Sequence, residues 1–351
     1  MSGRKAAPRT IADLGRIAGV SASTVSRVLN DSGYVNPRTR RKVENVIKAH
    51  GFTPNRVARS LATARTSLIG LIVPSLENPV YLEILKGVNA SAIEHGYSVV
   101  LSQSGDEPES VRESMMHLAA LRVDGIIATQ PEVHDVDLAR HLTPFLAEKI
   151  PIARLGTADN EWKIDGVLAD SFETGRLAAE HLLQLGYERI AVLGSAVNPQ
   201  VKLRLEGIRS ALLARGLPLK NLQLLDADFS QSGGAAAALE ALQRPDRPSA
   251  LLALNDVMAI GALMAAESLG LAVPSDVAVV GIDGIPVGQM VRPRLSTVVL
   301  PTFEMGRALF EMIHSRLDGT YSGKARQAVF HVRMLVRDST LPVRRAGGAE
   351  Q

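Results

Sequence analysis

The 351-residue chain contains no cysteine. That absence excludes a disulfide scaffold, a Cys-ligated zinc finger, an iron–sulfur site and a cysteine nucleophile, and it fits a reducing compartment. Aromatic residues are scarce, at 4% with a single tryptophan, which argues against a surface for stacking single-stranded bases. Long apolar runs are missing too. The most apolar stretches, such as 257–266, fall well short of the ~20 residues a membrane helix needs. No apolar segment follows the basic N-terminus, so no secretory signal is expected. What is present is ordinary for a globular protein, 46% hydrophobic and 21% charged. At roughly 100–200 residues per domain, the length suggests two or three folding units.

The net charge of +3 conceals an asymmetry. Residues 1–65 hold 13 Lys and Arg against three acidic residues (Asp13, Asp31, Glu44), a net +10, which leaves −7 on the remainder. A small basic head on an acidic body points to a polyanion partner, nucleic acid before an anionic membrane; a merely solvated basic arm is the bland alternative.

Residues 10–51 read as three short helices. Thr10 caps the first, with Ile11, Leu14, Ile17 and Ala18 on its apolar face and Gly19 as its stop. Ser21 caps the second, whose buried stripe is Val25, Val28 and Leu29. Pro37 starts the third, with Val43, Val46 and Ile47 inward and Gly51 at its end. Helix, short turn, helix is the arrangement that lays its second helix into a DNA major groove. The outer face of that helix carries Ala22, Ser23, Ser26, Arg27 and Asn30, short donors and acceptors plus one long cation, suited to base edges and phosphates.

Thr10-Ile11-Ala12-Asp13-Leu14, Ala18-Gly19-Val20-Ser21 and Ser23-Thr24-Val25-Ser26-Arg27-Val28-Leu29-Asn30 resemble the DNA-binding head of the LacI/GalR bacterial transcription regulators. The likeness continues through Val35-Asn36-Pro37-Arg38-Thr39-Arg40 and Gly51-Phe52-Thr53-Pro54-Asn55-Arg56, and it extends over nearly the whole chain. It implies DNA contacts from Thr10, Ser21, Ala22, Ser23, Thr24, Ser26, Arg27, Asn30, Tyr34, Asn36 and Thr39, and from Asn55, Arg56, Ala58 and Leu61. Segment 55–62 is too short for a stable isolated helix. The resemblance implies a hinge helix that folds when two copies pair over an operator, with Leu61 wedged into the minor groove; packing between domains is the alternative role for Leu61. Gly15 stands where the family usually has alanine, at a helix-propensity cost of ~1 kcal/mol.

From residue 68 onward, short apolar runs alternate with amphipathic helices such as 81–95 and 174–185. The expected strands are 68–73, 98–103, 125–129 and 152–155, then a second series at 167–169, 189–193, 250–254 and 277–281. Apolar strands separated by helices imply parallel sheets covered on both faces. The expected fold is therefore an all-α helix-turn-helix head plus an α/β two-lobed body. By resemblance the body is periplasmic-binding-protein-like, returning to its first lobe near 293–317 and ending in its second near 329–336. Ligands of such folds sit outside the carboxyl ends of the strands, in the cleft between lobes.

No enzyme signature survives inspection. No G-x-G-x-x-G follows a strand, 319–325 is one spacer short of a P-loop, and G-x-S-x-G and H-E-x-x-H are missing. The eight histidines are scattered, so neither a metal site nor a cofactor is expected. The resemblance instead implies an effector site built from Asn78 and Tyr81 after the first strand, Asn198, Gln200 and Arg204, Phe229, Asn255 and Asp283. A planar cation, a carboxylate, amides and ring faces make a plausible polyol site. Arg154 is a further candidate. The family often has Asp where Gly156 stands, and strand alternation puts Arg154 on the same side. Exchanging a carboxylate for a guanidinium would suit a sugar acid or sugar phosphate; pairing with a protein carboxylate or facing a subunit interface is the equal alternative.

The expectation is a cytoplasmic, sequence-specific DNA-binding regulator, a repressor, acting as a homodimer on double-stranded operator DNA under a small-molecule effector, with no membrane partner. Its parts would be a head at 1–54, a hinge at 55–65, an effector-binding and dimerisation body at 66–340, and a flexible tail at 341–351 without apolar heptads. Co-repressor-dependent or activating control is the nearest alternative; a solute-binding protein or a sugar-converting enzyme is the more distant one.

Overall fold

The computed structural model describes residues 10–29, 32–52, 65–105, 108–129, 145, 149–196 and 199–341. The chain divides into two compact units, residues 1–66 and 67–351.

In the first unit lie α1 (Ile11–Ala18), α2 (Ala22–Leu29) and α3 (Pro37–His50). Thr10 caps α1 reciprocally with Asp13: each side chain bonds the other residue's backbone N–H. Gly19 and Gly51 end α1 and α3 in the left-handed conformation. Leu14, Ala18, Val25, Val28 and Val43 form the core. Ile17, expected inward, is 46% exposed. It sits about 100° around the helix from Ala18, at the edge of the apolar stripe rather than within it. A Cβ at Gly15 would stand 2.8 Å from the Val20 carbonyl oxygen, so this glycine permits close packing of α1 on the turn that follows it.

The second unit holds two six-stranded sheets. The first joins β1 (Leu68–Val73), β2 (Ser98–Gln103), β3 (Gly125–Ala128), β4 (Ile152–Leu155), β5 (Asp165–Ala169) and β11 (Gln327–Phe330), in the order β11-β5-β4-β3-β1-β2. The second joins β6 (Ile190–Leu193), β7 (Leu222–Leu225), β8 (Ala250–Ala253), β9 (Ala278–Asp283), β10 (Ser296–Val299) and β12 (Arg333–Leu335), in the order β12-β10-β9-β8-β6-β7. Every pairing is parallel except β10 with β12. The helices are α4 (Pro79–Glu94), α5 (Pro108–Ala120), α6 (Ser171–Gln184), α7 (Pro199–Ala214), α8 (Gln231–Leu242), α9 (Asp256–Ser268) and α10 (Thr302–Leu317). Along β1, Ile69, Leu71 and Val73 join one apolar cluster while Ile72 joins another with Val111, Met115 and Leu118 of α5. Period-two alternation thus buries both faces of the first sheet.

Two expectations about the crossings need correction. Segment 167–169 belongs to the first sheet, not the second, because β5 pairs with β4 and carries Asp165 to the arginines that arrive with α10 and β11. The chain crosses between lobes after β5, returns after β10, and crosses again between β11 and β12, so Val329 and Phe330 still belong to the first lobe. Strand periodicity identifies a strand but not the sheet it joins.

Three helix pairs meet at reciprocal glycines. A Cβ at Gly87 would lie 2.0 Å from the Phe303 carbonyl oxygen and one at Gly306 2.2 Å from that of Ile84, joining α4 to α10. Gly175 and Gly207 do the same for α6 and α7, and Gly234 and Gly261 for α8 and α9. Only a missing side chain allows such approach.

Candidate functional site

In each sheet the strand order reverses beside its first strand, at β1 between β2 and β3 and at β6 between β7 and β8. Loops leaving the carboxyl ends of strands at such switch points are where open α/β sheets bind ligands. From β1 the chain runs through residues 74–78 into α4, where the Asn78 side chain caps the helix by accepting from Val80 N–H at 3.1 Å. Asn78 also hydrogen-bonds the Asp283 carboxylate at the end of β9. Tyr81, one turn into α4, lies close enough to Arg204 to act on its charge. The first lobe therefore meets the second through Asn78, Tyr81, Arg204 and Asp283.

Arg204 reaches this place from α7, whose backbone rests on Gly175 of α6. Its Nη1 donates to the Leu254 carbonyl at 2.8 Å, and its buried Nε has no hydrogen-bond partner among the described residues. Burial pushes the guanidinium below its ordinary pKa, and Asp283 and Tyr81 oppose that shift. Asp283 is 7% exposed and holds a φ of +119°, a left-handed conformation that strains a non-glycine residue. Beside it, fully buried Asp256 accepts from Thr297 Oγ1 at 2.6 Å, Gly284 N–H at 2.7 Å and Ile285 N–H at 2.8 Å. Burial, together with repulsion between the two carboxylates, pushes this pair well above the usual carboxylate range.

The remaining candidates have structural work of their own. Asn255 caps α9: its Oδ1 accepts from Met258 N–H at 2.7 Å, while its Nδ2 donates to the Phe229 carbonyl at 2.9 Å. That bond holds Phe229 at a φ of +63°. Gln200 Oε1 accepts from Ser171 Oγ at 2.7 Å, joining α7 to α6. Arg154 has a different neighbourhood. Its Nε donates to the Thr157 carbonyl, and burial, which lowers its pKa, is opposed by the charge of Asp159 on the same β4–β5 connection. Asn198 lies outside the described residues.

On the head, Ser21 Oγ accepts from Thr24 N–H at 3.1 Å and shares hydroxyl bonds with Ser23 and Thr24, each 2.8 Å. Asn36 caps α3 by accepting from Arg38 N–H at 2.9 Å. Ser21, Ala22, Ser23, Arg27, Tyr34 and Asn36 are exposed; Thr24, Ser26 and Thr39 are half-buried. Thr10, like Ser21 and Asn36, spends its side chain on a helix N-terminus. Asn30, Asn55, Arg56, Ala58 and Leu61 lie outside the described residues.

Asp256 was not anticipated from sequence. The capping rule contains the signal: if Asn255 is the cap, the next carboxylate is free to turn inward.

Residues 10–55 match the model of the bacterial regulatory proteins of the lacI family, and residues 179–340 match that of the periplasmic binding protein-like domain. The HTH-type transcriptional regulator DegA of Bacillus subtilis is 35% identical, with 95% of this chain and 98% of that protein aligned. The chain belongs to the lacI family. The ribose operon repressor of Escherichia coli K12 is 33% identical over 88% of this regulator and 93% of its own length. Among solved structures, the lac repressor dimer bound to operator and an anti-inducer superposes with a TM-score of 0.81 at 29% identity, covering 95% of this chain and 99% of that one. This lacI-family protein is accordingly a DNA-binding transcription regulator and not an enzyme. Its body has the expected two-lobed architecture. Among the described residues, no helix of the regulator is long and apolar enough to cross a membrane.

Proposed function

We propose that this regulator is a cytoplasmic homodimeric repressor whose operator affinity falls when a neutral polyhydroxylated effector, a sugar of the ribose class, closes the interlobe cleft. Two-fold symmetry of the dimer calls for two half-sites, each read by α2 through Ala22, Ser23 and Arg27, with the 55–65 segment as hinge. The observation that carries the effector reading is the buried Arg204 Nε, at the carboxyl ends of the strands, without a partner among the described residues. An orphaned buried donor costs roughly 1–3 kcal/mol, which a ligand oxygen would relieve. Arg204 and Asp283, which acts on the Arg204 charge, offer donors beside a carboxyl group that can accept, an arrangement that suits a ligand with hydroxyls that both donate and accept. The local partners of Arg154 support its structural role. The names of a ribose operon repressor and a lac repressor among its likenesses support a sugar. The effector acts through its different affinity for the open and closed states.

The test is fluorescence anisotropy of the full chain on a duplex selected from a random pool, with ribose, other neutral sugars, sugar acids, sugar phosphates and purines added in turn. A neutral sugar should release the DNA. Arg204→Ala should still bind DNA but lose roughly thirtyfold or more in sugar response, the ~2–5 kcal/mol expected for truncating a buried hydrogen-bonded charge. Release by sugar acids or phosphates alone would restore the anionic reading, and tighter DNA binding with purines would make the protein a co-repressor-dependent regulator.

A further inference from the structure

His95 is more than 200 residues from Glu311 and His314 in sequence, yet each of the three offers a ligand atom within 4.8 Å of the others. His95 terminates α4, while Glu311 and His314 stand three residues apart on one face of α10. The reciprocal glycines Gly87 and Gly306 bring these two helices close enough for their side chains to converge. Among the described residues, no other His, Asp and Glu side chains gather in this way.

The imidazoles are oriented for coordination. His95 Nδ1 lies 2.9 Å from the Ser91 carbonyl oxygen, so this nitrogen carries the proton and donates it. That fixes the tautomer and leaves the Nε2 lone pair directed outward, with Glu311 Oε2 3.9 Å away. His314 Nδ1 lies 3.6 Å from Asp318 Oδ2, beyond hydrogen-bond range but on the side of the ring away from Nε2, where a small shift would let the carboxylate orient it. The two rings stand 4.0 Å apart, with Phe310 and Tyr97 beside them as an apolar floor. An apolar surround around polar ligands lowers the local dielectric and strengthens metal binding.

We infer that His95, Glu311 and His314 form a divalent-cation site of the zinc class, with water completing the coordination. Two imidazoles and one carboxylate suit Zn²⁺ or Co²⁺; Ca²⁺ and Mg²⁺ prefer all-oxygen shells, and no thiolate is present to select a softer ion. Donors around a tetrahedral ion at ~2.1 Å stand about 3.4 Å apart. His95 Nε2 and Glu311 Oε2 are already 3.9 Å apart, and no pair of the three exceeds 4.8 Å, so side-chain rotations of both the imidazoles and Glu311 within about 1.5 Å close the shell. The ion would fasten α4 to α10 at the opposite end of α4 from Asn78 and Tyr81. That links metal occupancy to the rigidity of the lobe that must close on the effector.

The experiment uses the full chain purified without a polyhistidine tag, stripped with chelator and titrated with Co²⁺. Wild type should develop visible d–d absorption that saturates at about one ion per chain and disappears on adding Zn²⁺. His95→Gln and Glu311→Gln should each weaken Co²⁺ binding at least tenfold, while His117→Gln on α5 should leave it unchanged. In chelator all three variants should melt with wild type, which separates lost ligation from lost folding. Absence of saturable Co²⁺ and Zn²⁺ uptake by wild type would overturn the proposal. So would undiminished binding in both the His95 and Glu311 variants.

Discussion

Both lobes bury carboxylates, with opposite outcomes. In the first lobe, Asp165 is fully buried on β5 and receives paired bonds from Arg316 Nε and Nη2, each 2.7 Å, a single bond from Arg326 Nη2 at 2.6 Å, and the Arg326 backbone N–H as a further donor at 2.7 Å. Burial raises its pKa, but the three bonds from the two guanidiniums, with the Arg326 backbone N–H, outweigh this and hold it below the usual range. In the second lobe, Asp283 and Asp256 share a buried site with Arg204, and their pKa values are pushed up. Each cluster leaves one buried guanidinium Nε without a partner among the described residues, that of Arg326 in the first lobe and that of Arg204 in the second. The difference lies in the ratio of charges: two guanidiniums close on the one carboxylate of Asp165, whereas one guanidinium stands with two carboxylates where the chain faces the cleft. A buried carboxylate held by two guanidiniums is a staple; a lone guanidinium beside two crowded carboxylates has room for a ligand.

The largest effect should come from breaking the staple. Asp165→Ala leaves two guanidiniums facing a buried void, a loss of about 3–5 kcal/mol for an unpaired buried charge. It should also release the 324–327 segment that carries the chain into β11, since Arg316 and Arg326 both bond there through Asp165 or nearby carbonyls. Denaturant unfolding would measure the loss. Because the folded pKa of Asp165 lies below its unfolded value, its contribution is present at neutral pH and lost as pH falls below about 4. The variant should lack that acid-side loss. If Asp165→Ala instead removed the effector response while leaving stability intact, the contrast between the lobes would be reversed.

The second-lobe pair should titrate with the opposite sign. A carboxylate whose folded pKa exceeds its unfolded value stabilises the fold most when protonated, so its contribution fades as pH rises through the folded pKa. Effector-free protein should therefore gain stability on going from about pH 8 to about pH 5, by at most ~1.4 kcal/mol per pH unit for each titrating group. Asp283→Asn should flatten that slope. Effector hydroxyls that donate to the carboxylate favour its charged form, so sugar affinity should fall over the same acidification. A wild-type melting profile that is flat over this window would show the pair to be as fully compensated as Asp165.

The architecture of the second unit was legible because its strands are short apolar runs bounded by helices, and nothing but a parallel α/β fold buries such runs on both faces. Ile69 to Val73 and Ala250 to Ala253 are clear examples. Sheet membership was not legible: the placement of β5 depends on an ion pair with residues some 150–160 positions later. The cleft was half-legible. Arg204 on a helix and Asp283 at the end of an apolar strand carry charge into buried positions, an unusual placement that draws the eye. Asn255 and Gln200 are of a type that serves caps and ligands equally well, and their partners are visible only in three dimensions. Asp256 escaped because it hides behind its own helix cap. His95 and His314 were two of eight scattered histidines in the sequence, and only the glycine-mediated crossing of α4 and α10 unites them.

The smallest expected effect tests how the two lobes divide the work. The second lobe supplies the charges, Arg204 and Asp283, while the first supplies the neutral polar groups Asn78 and Tyr81. Removing only the Tyr81 hydroxyl keeps its ring packed against the core and deletes one neutral donor near Arg204. Tyr81→Phe should weaken sugar binding by roughly 0.5–1.5 kcal/mol, about two- to tenfold, with unchanged thermal stability. The effect should also be larger on sugar-driven DNA release than on sugar binding itself. A ligand seated on the second lobe still binds without the hydroxyl, but it gains less from closure and so shifts the open–closed equilibrium less. Calorimetry on the full chain and anisotropy on the selected duplex would separate these two quantities. Equal losses from Tyr81→Phe and Arg204→Ala would mean that the first lobe anchors the effector as strongly as the second, and the division of labour argued from the buried charges would fail.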